Sequence, residues 1–158
     1  MNIFVLDEDI EKCVMYHNDK HTVKMILEYA QLLCSVHHVS GSKLEIPYKL
    51  AHKNHPCTIW TRECIENYNW LCKLGLALAK EYTYRYGKRH KSQDVIEWCI
   101  SNKPNIIKNS EMTSFAQAMP VEYKSTNAIE AYRKYYNEDK QQLANWKFRE
   151  TPEWFNAN

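Results

Sequence analysis

Residues 20–36 constrain the fold more than any other segment, because they are apolar almost all the way round a helix. At ~100° per residue, the polar side chains of this segment fall within a sector of roughly 80°. They are His21, Lys24, Glu28 and Gln31, and His17 joins them if the helix reaches back one turn. A helix that is apolar on most sides is typical of a protein interior. We therefore predict a central, mostly buried helix whose polar stripe faces a cleft.

Two explanations of this stripe are compatible with the sequence. A buried polar group without a partner costs about 1–3 kcal/mol, so these side chains must bind either one another or a ligand. In the first case Lys24 and Glu28 form an ion pair at i,i+4, and His21 and Gln31 bond to neighbouring helices. In the second case the stripe is a binding or active site.

The composition predicts a compact all-α single domain over residues 1–158. Three glycines and five prolines provide few turns, which favours helices over a many-stranded sheet. No apolar run approaches the ~20 residues of a membrane span, and the charged residues after position 6 do not suit a secretory signal. We expect a cytoplasmic protein whose six cysteines are reduced core residues.

Capping residues and hydrophobic periodicity divide the chain into five helices. Residues 2–6 are expected to be extended, and residues 102–126 to be irregular, which is long for a plain connector. A loop of that length often covers a site, so the segment is a candidate lid. The predicted helices span residues 9–17, 20–40, 56–86, 92–101 and 127–146.

The residue types favour a phosphorylated nucleotide over a metal or duplex DNA. His17 and His21 have the i,i+4 spacing of a metal pair, but Lys24 would repel a cation, so we expect no metal and no cofactor. The net charge of +2 is small for gripping many phosphates. Suitable phosphate donors and stacking aromatics are Lys24, Lys53, His55, Arg85 and Arg133, with Trp60, Tyr82, Tyr123, Tyr132 and Tyr136.

Three motifs carry a family resemblance. They are the run from Tyr16 to Met25, the N-H-P motif that ends at Pro56, and the E-x-x-x-R-Y motif that begins at Glu81. Over about residues 1–90 the chain resembles short bacteriophage proteins and, more distantly, the pyrimidine-dimer DNA glycosylases of the endonuclease V type. The resemblance implies an all-α fold whose central helix borders a cleft near the N-terminus.

The resemblance also implies a reaction mechanism, and this chain differs from the family at several residues of that mechanism. Those glycosylases attack the sugar C1′ with the α-amine exposed by methionine removal, assisted by a helix glutamate and by arginines. Here Asn2 is large for ordinary methionine removal, and His21 and Lys24 occupy positions where arginines would be wanted. Asp19 or Glu28 would replace the glutamate.

We therefore expect a phage-type protein that sequesters a small nucleotide-derived ligand, such as a cyclic nucleotide or an ADP-ribose derivative used as an immune signal, without turnover. It would act in the cytoplasm of the infected bacterial cell, as a monomer or a homo-oligomer. The expected ligand-binding residues are His17, His21, Lys24, Glu28, Gln31, Lys53, His55, Arg85, Tyr123 and Arg133.

Two other functions remain open from the sequence. In one, the protein is a glycosylase, lyase or nucleotide-processing enzyme with Glu28 or Asp19 as general base and Lys24 as the amine nucleophile. In the other, the polar stripe is an internal network and the protein is an interaction module.

Overall fold

The computed structural model describes residues 2–156, and helices form its framework. No strand occurs among these residues, so the predicted all-α fold is confirmed. The helices are α1 (Ile10–Tyr16), α2 (Asp19–Val39), α3 (Pro56–Glu63), α4 (Ile65–Tyr86), α5 (Gln93–Ser101) and α6 (Ala128–Asp139), with 3-10 turns at Val121–Tyr123 and Gln141–Leu143.

Helix α2 lies at the centre of the fold and contacts α3, α4 and α5. The side chain of Asn18 caps its first turn by accepting a hydrogen bond from the backbone N–H of His21 at 2.8 Å. Beyond its last turn Gly41 adopts a φ of +75°, a conformation that glycine reaches without strain. Most of the apolar surface of α2 is buried, as predicted, but Val23 and Leu27 are 41 % and 40 % exposed and leave one edge of the helix open.

The first residues of the chain are extended, as predicted, and run buried between α2 and α6. The backbone N–H of Phe4 donates to the hydroxyl of Tyr29 at 3.1 Å. On the other side the guanidinium of Arg133 donates to the carbonyl oxygen of Leu6 at 2.8 Å. Because Ile3 and Phe4 are almost fully buried, the start of the chain is part of the core.

The prediction of one helix over residues 56–86 was wrong, because the chain breaks at Cys64. There the backbone is extended, with φ −158° and ψ 161°, and it separates α3 from α4. The backbone N–H of Ile65 donates to the carbonyl of Ile107 at 2.7 Å instead of to a helical partner. The side chain of Asn67 stabilises the break by donating to the carbonyl of Trp60 at 2.7 Å.

The last helix ends at Asp139, earlier than the predicted residue 146. After it the chain turns back, so that the buried indole of Trp146 donates to the carbonyl of Tyr16 at 2.8 Å. The side chain of Asn137 then accepts a hydrogen bond from the backbone N–H of Asn156 at 2.7 Å. The tail therefore returns to the body, and Phe155 is buried.

Segment 102–126 is irregular except for one 3-10 turn, and it packs along the helices. The ring of Phe115 lies 5.4 Å from that of Trp60 and 4.8 Å from that of Trp70, between ring centroids. Further on, the carbonyl of Ala118 accepts a hydrogen bond from the side chain of Asn2 at 2.7 Å. The segment thus joins the α3–α4 break to the start of the chain.

Two further expectations concern the membrane and the cysteines. Within residues 2–156 no helix is long and apolar enough to cross a membrane. All six cysteines are free thiols and buried, as a core role requires.

A buried arginine joins α1, α2 and α4. The Arg85 guanidinium forms ion pairs with Glu81 at 2.8 Å and with Asp19 at 3.1 Å. It also donates to the carbonyls of His17 at 2.8 Å and Met15 at 2.9 Å at the end of α1, where the last carbonyls of a helix have no intrahelical donor. This cation therefore fixes the turn between α1 and α2.

Replacing Arg85 by Met is expected to lower the free energy of unfolding by about 3–5 kcal/mol, because it leaves buried carboxylate and carbonyl oxygens without their donor. Urea unfolding measures the change. The control is Arg89→Met, since Arg89 also pairs with two carboxylates, Asp94 and Glu97, but on the surface. Equal effects of the two substitutions would contradict the role of Arg85.

Candidate functional site

The polar stripe of α2 meets the start of the chain in a pocket of about 190 Å³, which we call the N-terminal pocket. Three of the predicted site residues, His21, Lys24 and Glu28, line it together. The remaining wall is formed by Asn2, Phe4, Met25, Ala118, Tyr135 and Lys140. The cleft inferred from helical periodicity therefore exists, and the structure adds the elements that close it.

Asn2 is anchored at the base of the N-terminal pocket by its side chain. Its amide nitrogen donates to the carbonyl of Ala118 at 2.7 Å. Its amide oxygen accepts from the hydroxyl of Tyr132 at 2.8 Å and from the backbone N–H of Ile3 at 2.9 Å. Only 6 % of Asn2 is exposed, so the second residue of the chain has a fixed position beside the α2 stripe.

His21 is held as a neutral imidazole in the wall of the pocket. Its ring stacks on Phe4 with centroids 4.2 Å apart, and its Nδ1 lies 2.6 Å from the Tyr136 hydroxyl. Burial lowers its pKa to about 3, and the nearby His17 and lysines add to this effect. A neutral ring with Nδ1 already engaged leaves Nε2 to face a ligand.

Three lysines lie near His21 in the N-terminal pocket. Lys20, Lys24 and Lys140 all lie near enough to His21 to oppose its protonation. Lys140 also pairs with Asp139 at 3.3 Å and lies 4.7 Å from the centre of the Tyr135 ring. The mouth of the pocket is thus positive and suits an anionic group such as a phosphate.

The two explanations of the stripe divide along its length. His17 belongs to an internal network, because its Nδ1 lies 2.8 Å from the Cys13 carbonyl and its Nε2 lies 2.8 Å from the Tyr29 hydroxyl. Gln31 is half-buried and does not line the pocket. Lys24 and Glu28 both line the pocket.

Several other predicted residues lie outside the N-terminal pocket. Arg85 is buried in the network that fixes α1, and Asp19 accepts hydrogen bonds there from Arg85 and from the backbone N–H of Lys147. Arg133 pairs with Asp7 at 2.8 Å on another face. Of the two carboxylates considered as a general base, only Glu28 lines the pocket.

The remaining candidates serve local structure. His55 caps α3 through Nδ1, which accepts from the backbone N–H of Cys57 at 3.0 Å. Lys53 is exposed beside it, and its carbonyl accepts from Arg62. Tyr123 packs against Tyr135, a pocket residue, with ring centroids 5.4 Å apart, and so lies behind the wall.

Sequence reasoning did not find Asn2, Phe4, Tyr135 and Lys140 as pocket residues. Phe4 belongs to an apolar run that is typical of a protein core. Lys140 follows the end of a helix, a position that is typical of surface lysines. Only the return of α6 to the start of the chain brings them together. No group of three or more potential metal ligands occurs in the described part of the chain.

Comparison with known proteins assigns the chain to a family. A model of the pyrimidine dimer DNA glycosylase family matches residues 1–94. The chain belongs to this family. No curated protein and no solved structure matches this chain.

The match to the glycosylase family covers only one side of the N-terminal pocket. Asn2, Phe4, His21, Lys24 and Glu28 fall within the matched residues. The opposite wall, which contains Ala118, Tyr135 and Lys140, comes from the rest of the chain. The matched residues therefore form one side of the pocket, and the remainder of the chain forms the other.

Two buried histidines, His17 at the end of α1 and His21 on α2, are expected to make the protein acid-sensitive. Burial lowers the pKa of His17 to about 4 and that of His21 to about 3, below the value of about 6.5 in an unfolded chain. The unfolded state therefore binds more protons below pH 6.5, and stability falls as the pH falls. Each histidine is expected to contribute about 2 kcal/mol to the loss between pH 7 and pH 5.

Urea unfolding of His21→Gln at the two pH values tests this expectation. The variant should lose less stability on acidification than the natural protein does. His38→Gln, on the exposed side of α2, is the control and should retain the natural pH dependence. A pH dependence that His21→Gln leaves intact would contradict the assignment.

Proposed function

We propose that the N-terminal pocket acts on the sugar of a nucleotide and cleaves its N-glycosidic bond through an imine to an amine of the protein. Membership of the pyrimidine dimer DNA glycosylase family supports this reaction class. The observation that carries the proposal is that Glu28 and Lys24 line one pocket with Asn2 at the very start of the chain. A carboxylate and an amine at the same sugar are what the reaction needs.

In the proposed reaction the neutral amine attacks C1′ and the base leaves with the bonding electron pair and takes up a proton. Loss of a proton from the attacking nitrogen and opening of the sugar ring then leave an imine at C1′. Water hydrolyses that imine and restores the amine. Glu28 serves as the group that accepts and returns protons, which contributes about 10²–10⁴-fold in rate.

Two amines are candidates for the nucleophile. One is Lys24, which lies in the pocket wall one turn before Glu28. The other is the α-amine of the chain, carried by Met1 or, after methionine removal, by Asn2. Whether Met1 is retained lies outside the described residues and is settled by intact-mass measurement. Peptide mapping of a trapped adduct identifies the amine used.

The size of the pocket restricts what it can enclose. A volume of about 190 Å³ is below the roughly 300–1,000 Å³ of pockets that bury a drug-sized ligand. One sugar with its phosphate fits this scale better than a whole cyclic dinucleotide. Larger ligands would need a second surface, such as one provided by another copy of the chain.

A second candidate function is capture of a phosphorylated nucleotide without turnover, including sequestration of an immune signal. The three lysines near His21 favour it, because they provide charge for a phosphate whether or not a bond is cleaved. Tight binding to the folded protein alone would raise its thermal stability. The two functions differ in whether the ligand is recovered unchanged.

Borohydride trapping on an oligonucleotide with one abasic site is the test. The natural protein should form a covalent adduct, and Glu28→Gln should form it about 10²–10⁴-fold more slowly. Lys24→Ala should abolish the adduct if Lys24 is the nucleophile. Because Lys24 is exposed, the variant should unfold at nearly the natural temperature. Lys53→Ala, an exposed lysine outside the pocket, is the control.

The outcome separates the candidate functions. Absence of an adduct with the natural protein would refute the glycosylase-type proposal. If nucleotides then raised the melting temperature and were recovered intact, the capture function would stand instead. An adduct on the natural protein that Glu28→Gln forms at an unchanged rate would remove Glu28 from the reaction.

A further inference from the structure

Phe148 is an exposed aromatic residue in a costly backbone conformation. Its φ is +62°, in the left-handed region that bulky side chains rarely adopt, and 67 % of it is exposed. The turn is fixed on both sides, since the N–H of Lys147 donates to Asp19 at 2.8 Å and that of Arg149 donates to the carbonyl of Trp146 at 3.1 Å. Such a conformation persists where surrounding structure imposes it, and often at functional sites.

A second exposed ring stands beside Phe148. Tyr84 on α4 is 53 % exposed, and its ring centroid lies 6.2 Å from that of Phe148 with 72° between the ring planes. The guanidinium of Arg149 lies 4.1 Å from the centre of the Tyr84 ring and bonds Glu81 through two nitrogens at 2.8 and 2.9 Å. The cation thus supports Tyr84 from the protein side.

Lysines flank the two rings. Lys80 lies one helical turn before Tyr84, and Lys88 follows Gly87, the residue with a φ of +69° that ends α4. The ammonium of Lys147 is 5.3 Å from the centre of the Phe148 ring. None of the three forms an ion pair within the described residues, and all are exposed. Together with Tyr84 and Phe148 they define what we call the Tyr84–Phe148 patch.

The patch connects to the N-terminal pocket along α2. The backbone of Lys147 is bonded to Asp19, the first residue of α2, and Lys20 follows it. Lys24, which lines the pocket, is five residues further from Asp19, or ~7.5 Å along the helix axis. Lys20 and Lys24 therefore lie on the helix that joins the backbone contact of Lys147 to the pocket.

We infer that the Tyr84–Phe148 patch binds an unpaired nucleic-acid strand, with bases stacked on the two rings and phosphates near the lysines. Aromatic rings held among cations are the common means of binding single strands, because every base has a face to stack. Exposed ring faces cannot stack on bases already paired within a duplex. The inference rests on the proposed function, since the strand would carry the nucleotide that enters the pocket.

This inference specifies single-stranded nucleic acid as the substrate of the proposed reaction. The family match ends at residue 94, whereas Lys147 and Phe148 belong to the remainder of the chain. A nucleotide in a single strand needs no extrusion from a helix, so its delivery does not require the large basic surface that duplex binding uses. The small net charge of +2 is compatible with this mode.

Fluorescence anisotropy with a labelled twelve-nucleotide thymidine strand tests the patch. The natural protein should bind the strand more tightly than the matched duplex, and binding should weaken with salt. Phe148→Gly should weaken binding about 5- to 100-fold, as expected for the loss of one stacked base. Its melting temperature should stay equal or rise, because glycine tolerates the positive φ. Phe148→Trp should retain the affinity, and Ile107→Ala, also at an exposed apolar residue, is the control.

Two results would overturn the inference. One is natural affinity in Phe148→Gly, and the other is equal or tighter binding of the duplex by the natural protein. Borohydride trapping separates this failure from that of the proposed function, because the adduct reports on the reaction in the pocket and the anisotropy reports on the patch. Strand binding that depends on Phe148, without any borohydride adduct, would leave the patch established and refute the glycosylase-type reaction alone.

Discussion

The buried guanidinium of Arg85 is the interaction on which the rest of the structure depends. It binds two carboxylates and the last carbonyls of α1, so α1, α2 and α4 have one relative arrangement. A cation removed from water is stable only with such a complete set of partners. Because Asp19 also binds the backbone of Lys147, the C-terminal part of the chain is tied to the same point. The pocket and the patch both lie on elements that this network positions.

The N-terminal pocket is built from two parts of the chain, one inside the residues that match the family and one outside them. Residues 2–28 provide an anchored chain start, a neutral histidine, an amine and a carboxylate. The later part of the chain supplies Tyr135 and Lys140, which narrow the pocket and add positive charge. A small pocket with a cationic mouth suits one sugar and its phosphate. Activity and simple capture then differ only in whether an amine reaches C1′.

Helical periodicity predicted the pocket residues that share one face of α2, and it could not predict which of them would meet water. His21, Lys24 and Glu28 line the pocket. His17 belongs to the same polar stripe, but it is buried and its Nε2 lies within hydrogen-bond distance of the Tyr29 hydroxyl. Arg85 was predicted to bind phosphate, because the sequence does not show which groups an arginine will contact in the folded protein. The break at Cys64 escaped prediction for a similar reason, since the bond that replaces the helical one comes from Ile107, far along the chain.

The sequence by itself determined the all-α class, the central buried helix, the extended chain start and the polar stripe. These features follow from local patterns, namely residue spacing, capping side chains and the scarcity of glycine and proline. Only the tertiary structure decided which stripe residues face a ligand, where Arg85 is used, and that Lys140 and Phe148 lie near α2. Those outcomes depend on contacts between residues that are distant in the sequence, such as Arg85 with His17, 68 positions apart, and His21 with Tyr136, 115 positions apart. Such contacts form only when the chain folds. The local sequence patterns that predict helices therefore contain no information about them.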